Sequence, residues 1–303
     1  MDDTHIFLAK LNHPDDYENL YAQVTGLRSQ IPSGPLVLDL SSASFVPVEG
    51  LVALACCARL WHRWTGQKIM LQRIQPKVHR YFERMDIFTR CNAWIDQDRL
   101  LDEFDRFDRK PDSERLLELT PIASDEDQNA EDVQAAVHRI RHILTNLVLR
   151  DAHSVGQLCT MLSEIAQNVV HSSDLGLAIV QRYRENTNAV AGMGYRVIIS
   201  VTDLGIGIEG SLGSSQSQLS DRIRAQLTSG SNYILKALEL GVTSRRSAGG
   251  MGLHQVQKIV HEWDGTLTIR SRRSSVQIAG DAVTRRDDLV EVPGTQVTIS
   301  VRG

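Results

Sequence analysis

Residues Arg196 to Gly207 read RVIISVTDLGIG. Val197, Ile198, Ile199 and Val201 make an apolar, β-branched run of the kind that builds a buried strand. The run ends on Asp203, and Gly205 and Gly207 follow at alternate positions. Glycines in that pattern let the backbone turn sharply, and an aspartate at a strand end sets a carboxylate at the floor of a pocket. D-x-G-x-G is a short motif, and strand-to-turn junctions are rich in Asp and Gly for local reasons. Its weight therefore comes from the sequence on either side.

Upstream, GLAIVQRYR (Gly176 to Arg184) predicts a strand that pairs antiparallel with the 196–201 run across the loop ENTNAVAGMG. Before it, SVGQLCTMLSEIAQNVVH predicts a helix from about Ser154 to Val170. Glu164 and Asn168, four residues apart, fall on one face and one turn from each other. A carboxylate can polarise an attacking hydroxyl or water, while an amide oxygen is a neutral ligand suited to a Mg²⁺ already surrounded by phosphate. Further upstream, Glu131 to Leu149 predicts a helix with Val133, Val137, Ile140, Leu144 and Leu147 on one stripe. His138 lies in that helix, but Arg139 and Ile140 follow it where a phospho-accepting histidine is usually followed by an acid, so it reads as a surface or packing residue. RLLELTPI (Arg115 to Ile122) reads as the opening strand, and ASDEDQNAED as a solvated acidic loop turning into the helix.

Downstream, EGSLGSSQSQLS is rich in serine and glycine, and DRIRAQLTSGSNYILKALELG has a helical texture. GVTSRRSAGGMGL then brings Gly249, Gly250 and Gly252 just ahead of the helix LHQVQKIVHEW. Glycines before a helix N-terminus let backbone N–H groups approach phosphates, which the helix end also favours electrostatically. The stretch between the two glycine sites reads as a lid over a ligand. GTLTIRS and GTQVTISV (Gly294 to Val301) read as the strands that finish the sheet.

E-x-x-x-N on a helix, D-x-G-x-G after a strand and G-G-M-G-L before a helix, in this order, resemble the GHKL ATP-binding domain of histidine kinases, gyrase, MutL and anti-sigma-factor kinases. The likeness covers residues 113–303, and SEIAQNVVHSSD looks closest to the anti-sigma-factor serine kinases. It implies an α/β sandwich, a mixed sheet packed on helices, that binds ATP with Mg²⁺. By the resemblance, Glu164 is the general base and Asn168 the Mg²⁺ ligand. Asp203 accepts a hydrogen bond from the adenine amino group, with Gly205 and Gly207 shaping the pocket. Gly250, Met251, Gly252 and Leu253 lie beside the phosphates, and Thr295 lies near adenine. Arg245 and Arg246 are candidates to meet the γ-phosphate, or else belong to a solvated basic loop. A carboxylate in that role selects adenine, because guanine presents an acceptor where adenine presents a donor.

The first third has a different texture. PLVLDL (Pro35 to Leu40) and QKIMLQR (Gln67 to Arg73) predict buried strands. Gly50 to Trp64 predicts a helix with Leu51, Leu54, Ala55, Ala58 and Trp61 inward and Arg59, His62 and Arg63 outward, stopped at Thr65-Gly66. Pro76 opens a further helix, PKVHRYFERMDIF. Strand, helix, strand, helix implies a parallel sheet. Residues 5–95 are similar to a STAS domain, the fold of the anti-sigma-factor antagonists, through LVLDLSSASF, the Gly50-Leu51 helix start and the IMLQRI ending. In that family a serine ahead of the helix accepts phosphate. Alignment on Gly50 puts Val48 there, with Glu49 beside it, so a docking or dimerising module is expected in place of a phosphate relay. Cys91 to Asp112 reads as a linker, with Trp94, Phe104 and Phe107 among charges in a helix that closes the first domain, and Pro111-Asp112 marks the boundary. The expected chain is thus a two-domain α/β protein, residues 1–110 STAS-like with linker and 113–303 GHKL-like.

Composition sets the outer bounds. At 303 residues the chain holds two domains of ordinary size, and a net charge of −4 gives no reason to expect nucleic acid or an acidic membrane as partner. No apolar run of about 18 residues occurs and the N-terminus MDDTHIFLAK is acidic, so a cytoplasmic location is expected. Cys56, Cys57, Cys91 and Cys159 have no metal-ligand spacing and read as buried reduced thiols. The resemblance implies a serine/threonine protein kinase in partner switching, acting on a sigma factor or an antagonist-like regulator, with a homodimer as a possible assembly. The same residues also suit an ATPase or an ATP-gated conformational switch.

Overall fold

The computed structural model describes residues 4–98, 116–123, 125–147, 152–167, 175–185, 194–213, 223, 225–239 and 252–302. The chain divides into two compact units, Met1–Asp112 and Ser113–Gly303.

The first unit holds a four-stranded parallel sheet of β1 (Thr4–Phe7), β2 (Leu36–Asp39), β3 (Ile69–Gln72) and β4 (Ile95–Gln97), in that spatial order. Parallel neighbours need crossovers, supplied here by α1 (Pro14–Gly26), α2 (Val48–Thr65) and the pair α3 (Pro76–Arg84) and α4 (Ile87–Arg90). β1 and α1 are additions to the expected elements. A capping box starts α1: the Asp16 carboxylate accepts from the His13 N–H at 2.9 Å, and the His13 ring accepts from the Asp15 N–H. α2 begins at Val48, two residues before Gly50, and stops at Gly66 in the left-handed conformation, as its C-cap pattern predicts. It is buried on nearly every side, Val52, Ala53, Cys56 and Cys57 included, so the expected solvent face is narrow. Arg59 on that face lies over the Trp94 ring, 4.7 Å from its centroid.

Two further expectations for this unit change. The predicted helix from Pro76 breaks at Met85-Asp86, where Asp86 takes a positive φ of 63° and its carboxylate accepts from Arg90 Nε at 3.0 Å. The predicted closing helix after Cys91 instead begins with buried Trp94 and strand β4. Phe104 and Phe107 lie outside the described residues.

The second unit is built on a seven-stranded sheet among the described residues: β5 (Leu116–Ile122), β6 (Gly176–Glu185), β7 (Gly194–Thr202), β8 (Thr266–Arg272), β9 (Ser274–Ala279), β10 (Ala282–Arg286) and β11 (Val292–Arg302). The spatial order is β10-β9-β8-β11-β7-β6-β5, and every neighbouring pair is antiparallel. A mixed sheet is therefore not what forms. The physical reason lies in β11: β7 and β8 run parallel to each other, and β11 lies between them antiparallel to both. The helices are α5 (Glu126–Leu147), α6 (Ala152–Gln167), α7 (Gly207–Gly213), α8 (Gly230–Ala237) and α9 (Gly252–Glu262). Of the predicted stripe of α5, Val133, Ile140 and Leu144 are buried with Leu158 and Leu162 of α6 and Val256, Ile259 and Val260 of α9 against Val180, Val197, Ile199 and Ile299 of the sheet, Val137 is half-buried against them, and the Leu147 side chain lies outside what is described. Each such aliphatic side chain contributes about 1.5–3 kcal/mol on burial.

Two local differences matter for the site. The stretch 221–241 is not one helix; among its described residues only Gly230–Ala237 is a regular multi-turn helix, because Ser229 caps the chain there and its hydroxyl accepts from the Asn232 N–H. RSSVQIAGDAVTRR, unassigned from sequence, forms the β9–β10 hairpin with Gly280-Asp281 as its two-residue turn. No helix among the described residues is long and apolar enough to cross a membrane.

Candidate functional site

β7 delivers its last residues to the middle of the sheet, between β6 and β11. Asp203 follows directly. Its backbone N–H donates to the Thr295 carbonyl of β11 at 2.9 Å, which prolongs the ladder by one bond. Its Oδ1 accepts from the Gly205 N–H at 2.7 Å, a carboxylate folding back on the backbone two residues on. Leu204 is buried at 4% exposure, while Ile206 is exposed at 51%.

Gly207 opens α7 with φ at 72°, in the left-handed region that glycine adopts without strain. A Cβ on it would stand 2.8 Å from Ser271 Oγ. Ser271, buried in β8, faces Thr295 as its cross-strand partner. Its hydroxyl accepts from the Ile208 N–H at 2.9 Å and donates to the Gly294 carbonyl at 3.2 Å, with Thr295 Oγ1 3.4 Å away. Gly294, at φ 90° in the irregular start of β11, lies flat against the aspartate turn. A Cβ there would come within 2.6 Å of Leu204 Cα and closer still to the Asp203 carbonyl oxygen. The turn is therefore gripped at both ends by two adjacent strands.

The segment after β10 straps this region to α8. The Asp287 carboxylate accepts from the Ser231 N–H, the Ser231 hydroxyl and the Ser274 hydroxyl, each at 2.7 Å, and interacts with the Ser229 hydroxyl. Burial works against its ionised form, but the serine hydrogen bonds outweigh that and hold its pKa below the ordinary carboxylate value. Leu289 N–H donates to the Arg273 carbonyl at 3.0 Å, Arg270 reaches the Val290 carbonyl at 2.8 Å, and Arg272 pairs with Glu291 at 2.8 Å. The strap then runs straight into Gly294 and Thr295.

Of the predicted site residues, Asp203, Gly205, Gly207 and Thr295 are brought together in this junction. Glu164 lies in the last turn of α6, a helix that packs on β7. Gly252 and Leu253 begin α9, which packs on α6, and Leu253 touches both apolar clusters of the unit. His254 Nδ1, 2.9 Å from the Leu238 carbonyl, ties the start of α9 to the end of α8. Asn168, Arg245, Arg246, Gly250 and Met251 lie outside the described residues. Ser271 and Asp287 went unread in the sequence. The one signal for Ser271 was its place in GTLTIRS opposite the Gly294-Thr295 pair.

Among the described residues no three His, Cys, Asp or Glu side chains gather as a metal site. The four cysteines are free and buried, and burial pushes the Cys91 thiol upward, with Cys56 and Asp86 adding to it, so it stays protonated. Comparison of the chain with protein-family models, with curated proteins and with solved structures found no match.

Proposed function

We propose that this chain is an ATP-binding regulatory protein of the anti-sigma-factor kinase type, acting as a Mg²⁺-dependent serine/threonine protein kinase on a protein partner. The observation that supports the reading best is the Asp203 carboxylate held at the end of a central strand, in a turn whose glycines are packed tightly against β8 and β11. A carboxylate oxygen has two lone pairs, so Oδ1 can keep the Gly205 N–H while the carboxylate accepts from an exocyclic amine. Thr295, half-buried on the neighbouring strand, presents a hydroxyl beside the same turn. In this reading Asn168 holds Mg²⁺ against the phosphates, and the start of α9 at Gly252 offers its backbone N–H groups to them. Glu164 takes the proton from the attacking hydroxyl.

Calorimetric titration with ATP tests the pocket. Removing a charged hydrogen bond of this kind costs about 1.5–3 kcal/mol, roughly tenfold to a hundredfold in affinity. Asp203→Ala is expected to abolish measurable ATP binding at micromolar protein. Unchanged affinity in that variant would remove Asp203 from the pocket.

A further inference from the structure

We infer that Ser271 is a specificity-determining positioning residue of the nucleotide site: it sets the aim of the Asp203 carboxylate without itself meeting the base. The inference rests on the reading that Asp203 accepts from the adenine amine. A hydroxyl has one hydrogen to give and two lone pairs. Ser271 Oγ spends its hydrogen on the Gly294 carbonyl and receives the Ile208 N–H, and the Thr295 hydroxyl can fill its second lone pair. Ile208 stands just past the exit of the aspartate turn, and Gly294-Thr295 holds its start through the Asp203 N–H. One buried side chain thus joins the two ends of the turn. Alanine at 271 would orphan the buried Gly294 carbonyl and the partly buried Ile208 N–H, a cost that moving the backbone toward new partners relieves. Here that backbone is the turn carrying Asp203.

The geometry separates aim from mere stability. A residue that only supported the fold would, when removed, weaken adenine and hypoxanthine nucleotides alike. A residue that aims Asp203 at the exocyclic amine must weaken the adenine nucleotide in particular, because inosine nucleotides present a carbonyl acceptor in that place and cannot donate to the carboxylate from there.

The experiment is calorimetric titration of the full chain, wild type and Ser271→Ala, with ADP and with inosine diphosphate. The wild type should prefer ADP. Ser271→Ala should lose about tenfold in ADP affinity and little in inosine diphosphate affinity, so that the preference shrinks by about the same factor. Hydrogen exchange at the Ile208 amide should quicken in the same variant. An unchanged ADP preference, whether both affinities fall together or neither falls, overturns the inference. A wild type that binds ADP without preferring it, or binds neither nucleotide, overturns the reading of Asp203 and this inference with it. Should Ser271→Ala not fold, Ser271→Cys keeps the side chain's shape while replacing a strong acceptor with a weak one, and the same outcomes apply.

Discussion

At Gly294 the backbone stands at φ 90° and lies against the Asp203 carbonyl, so a side chain of any size must displace one of two strands. Both penalties, the left-handed conformation and the collision, fall on the same residue, and overpacking with strain typically costs about 2–4 kcal/mol in total. For a domain of this size that is roughly a 4–16 °C drop in melting temperature. Gly294→Ala should show it in a thermal melt, together with loss of ADP binding. A variant that melts within a degree or two of wild type would mean that β11 can move away from the turn. Residues of this site differ in how plainly the sequence shows them. Asp203, Gly205 and Gly207 form a contiguous pattern whose logic is local, so they can be read without a fold. Ser271 cannot, because it is one hydroxyl in an alternating strand. Its importance comes from a cross-strand register with Thr295 that only the folded sheet creates.

Among the described helices, α8 is held by a partner distant in sequence. It has eight residues, too few to be stable alone, and its N-terminus is held by Ser229 as cap and by the Asp287 carboxylate. Because the folded-state pKa of Asp287 lies below its ordinary value of 3.8, the serine hydrogen bonds stabilise the fold fully above that value. Their contribution is lost as the pH falls through the lower, folded-state pKa. The difference in unfolding free energy between wild type and Asp287→Ala should therefore be constant from neutral pH down to about 4 and shrink below that. The Ser231 and Asn232 amides should exchange faster in the variant at neutral pH, while those of α5 stay protected. A difference that persists or grows in acid would show that the strap is held by something other than the carboxylate. The same stretch shows why element boundaries were the hardest part to read. Long amphipathic segments such as α5 and α9 announce themselves by their period. The β9–β10 hairpin does not: Val276 and Ile278 alternate, but β10 is exposed along nearly its whole length and Ala282 to Arg286 carry no matching apolar alternation. In α3 and α4 a helical pattern runs on through Asp86, where the backbone in fact turns left-handed.

For the whole molecule the question is where a γ-phosphate would go. The position that the STAS resemblance offers in the first unit is Val48, fully buried in the first turn of α2 and without an oxygen to accept it. The kinase reading therefore sends a phosphoryl group to a hydroxyl other than that position, on another protein, and the ATPase reading sends it to water. Incubation of the full chain with γ-labelled ATP, Mg²⁺ and an extract of the source cell separates the outcomes. Under the kinase reading, label appears on serine or threonine of a second protein. Glu164→Gln should slow the transfer by about 10²–10⁴-fold, the usual worth of a positioned general base, while leaving ATP affinity close to wild type. That split follows from the role: a base works on the attacking hydroxyl in the transition state and has little to do with holding the nucleotide. Free phosphate without labelled protein would make the chain an ATPase, and neither product would make it a switch that reads ATP through α9 and the Asp203 turn. Full transfer by Glu164→Gln would move the base elsewhere on the chain.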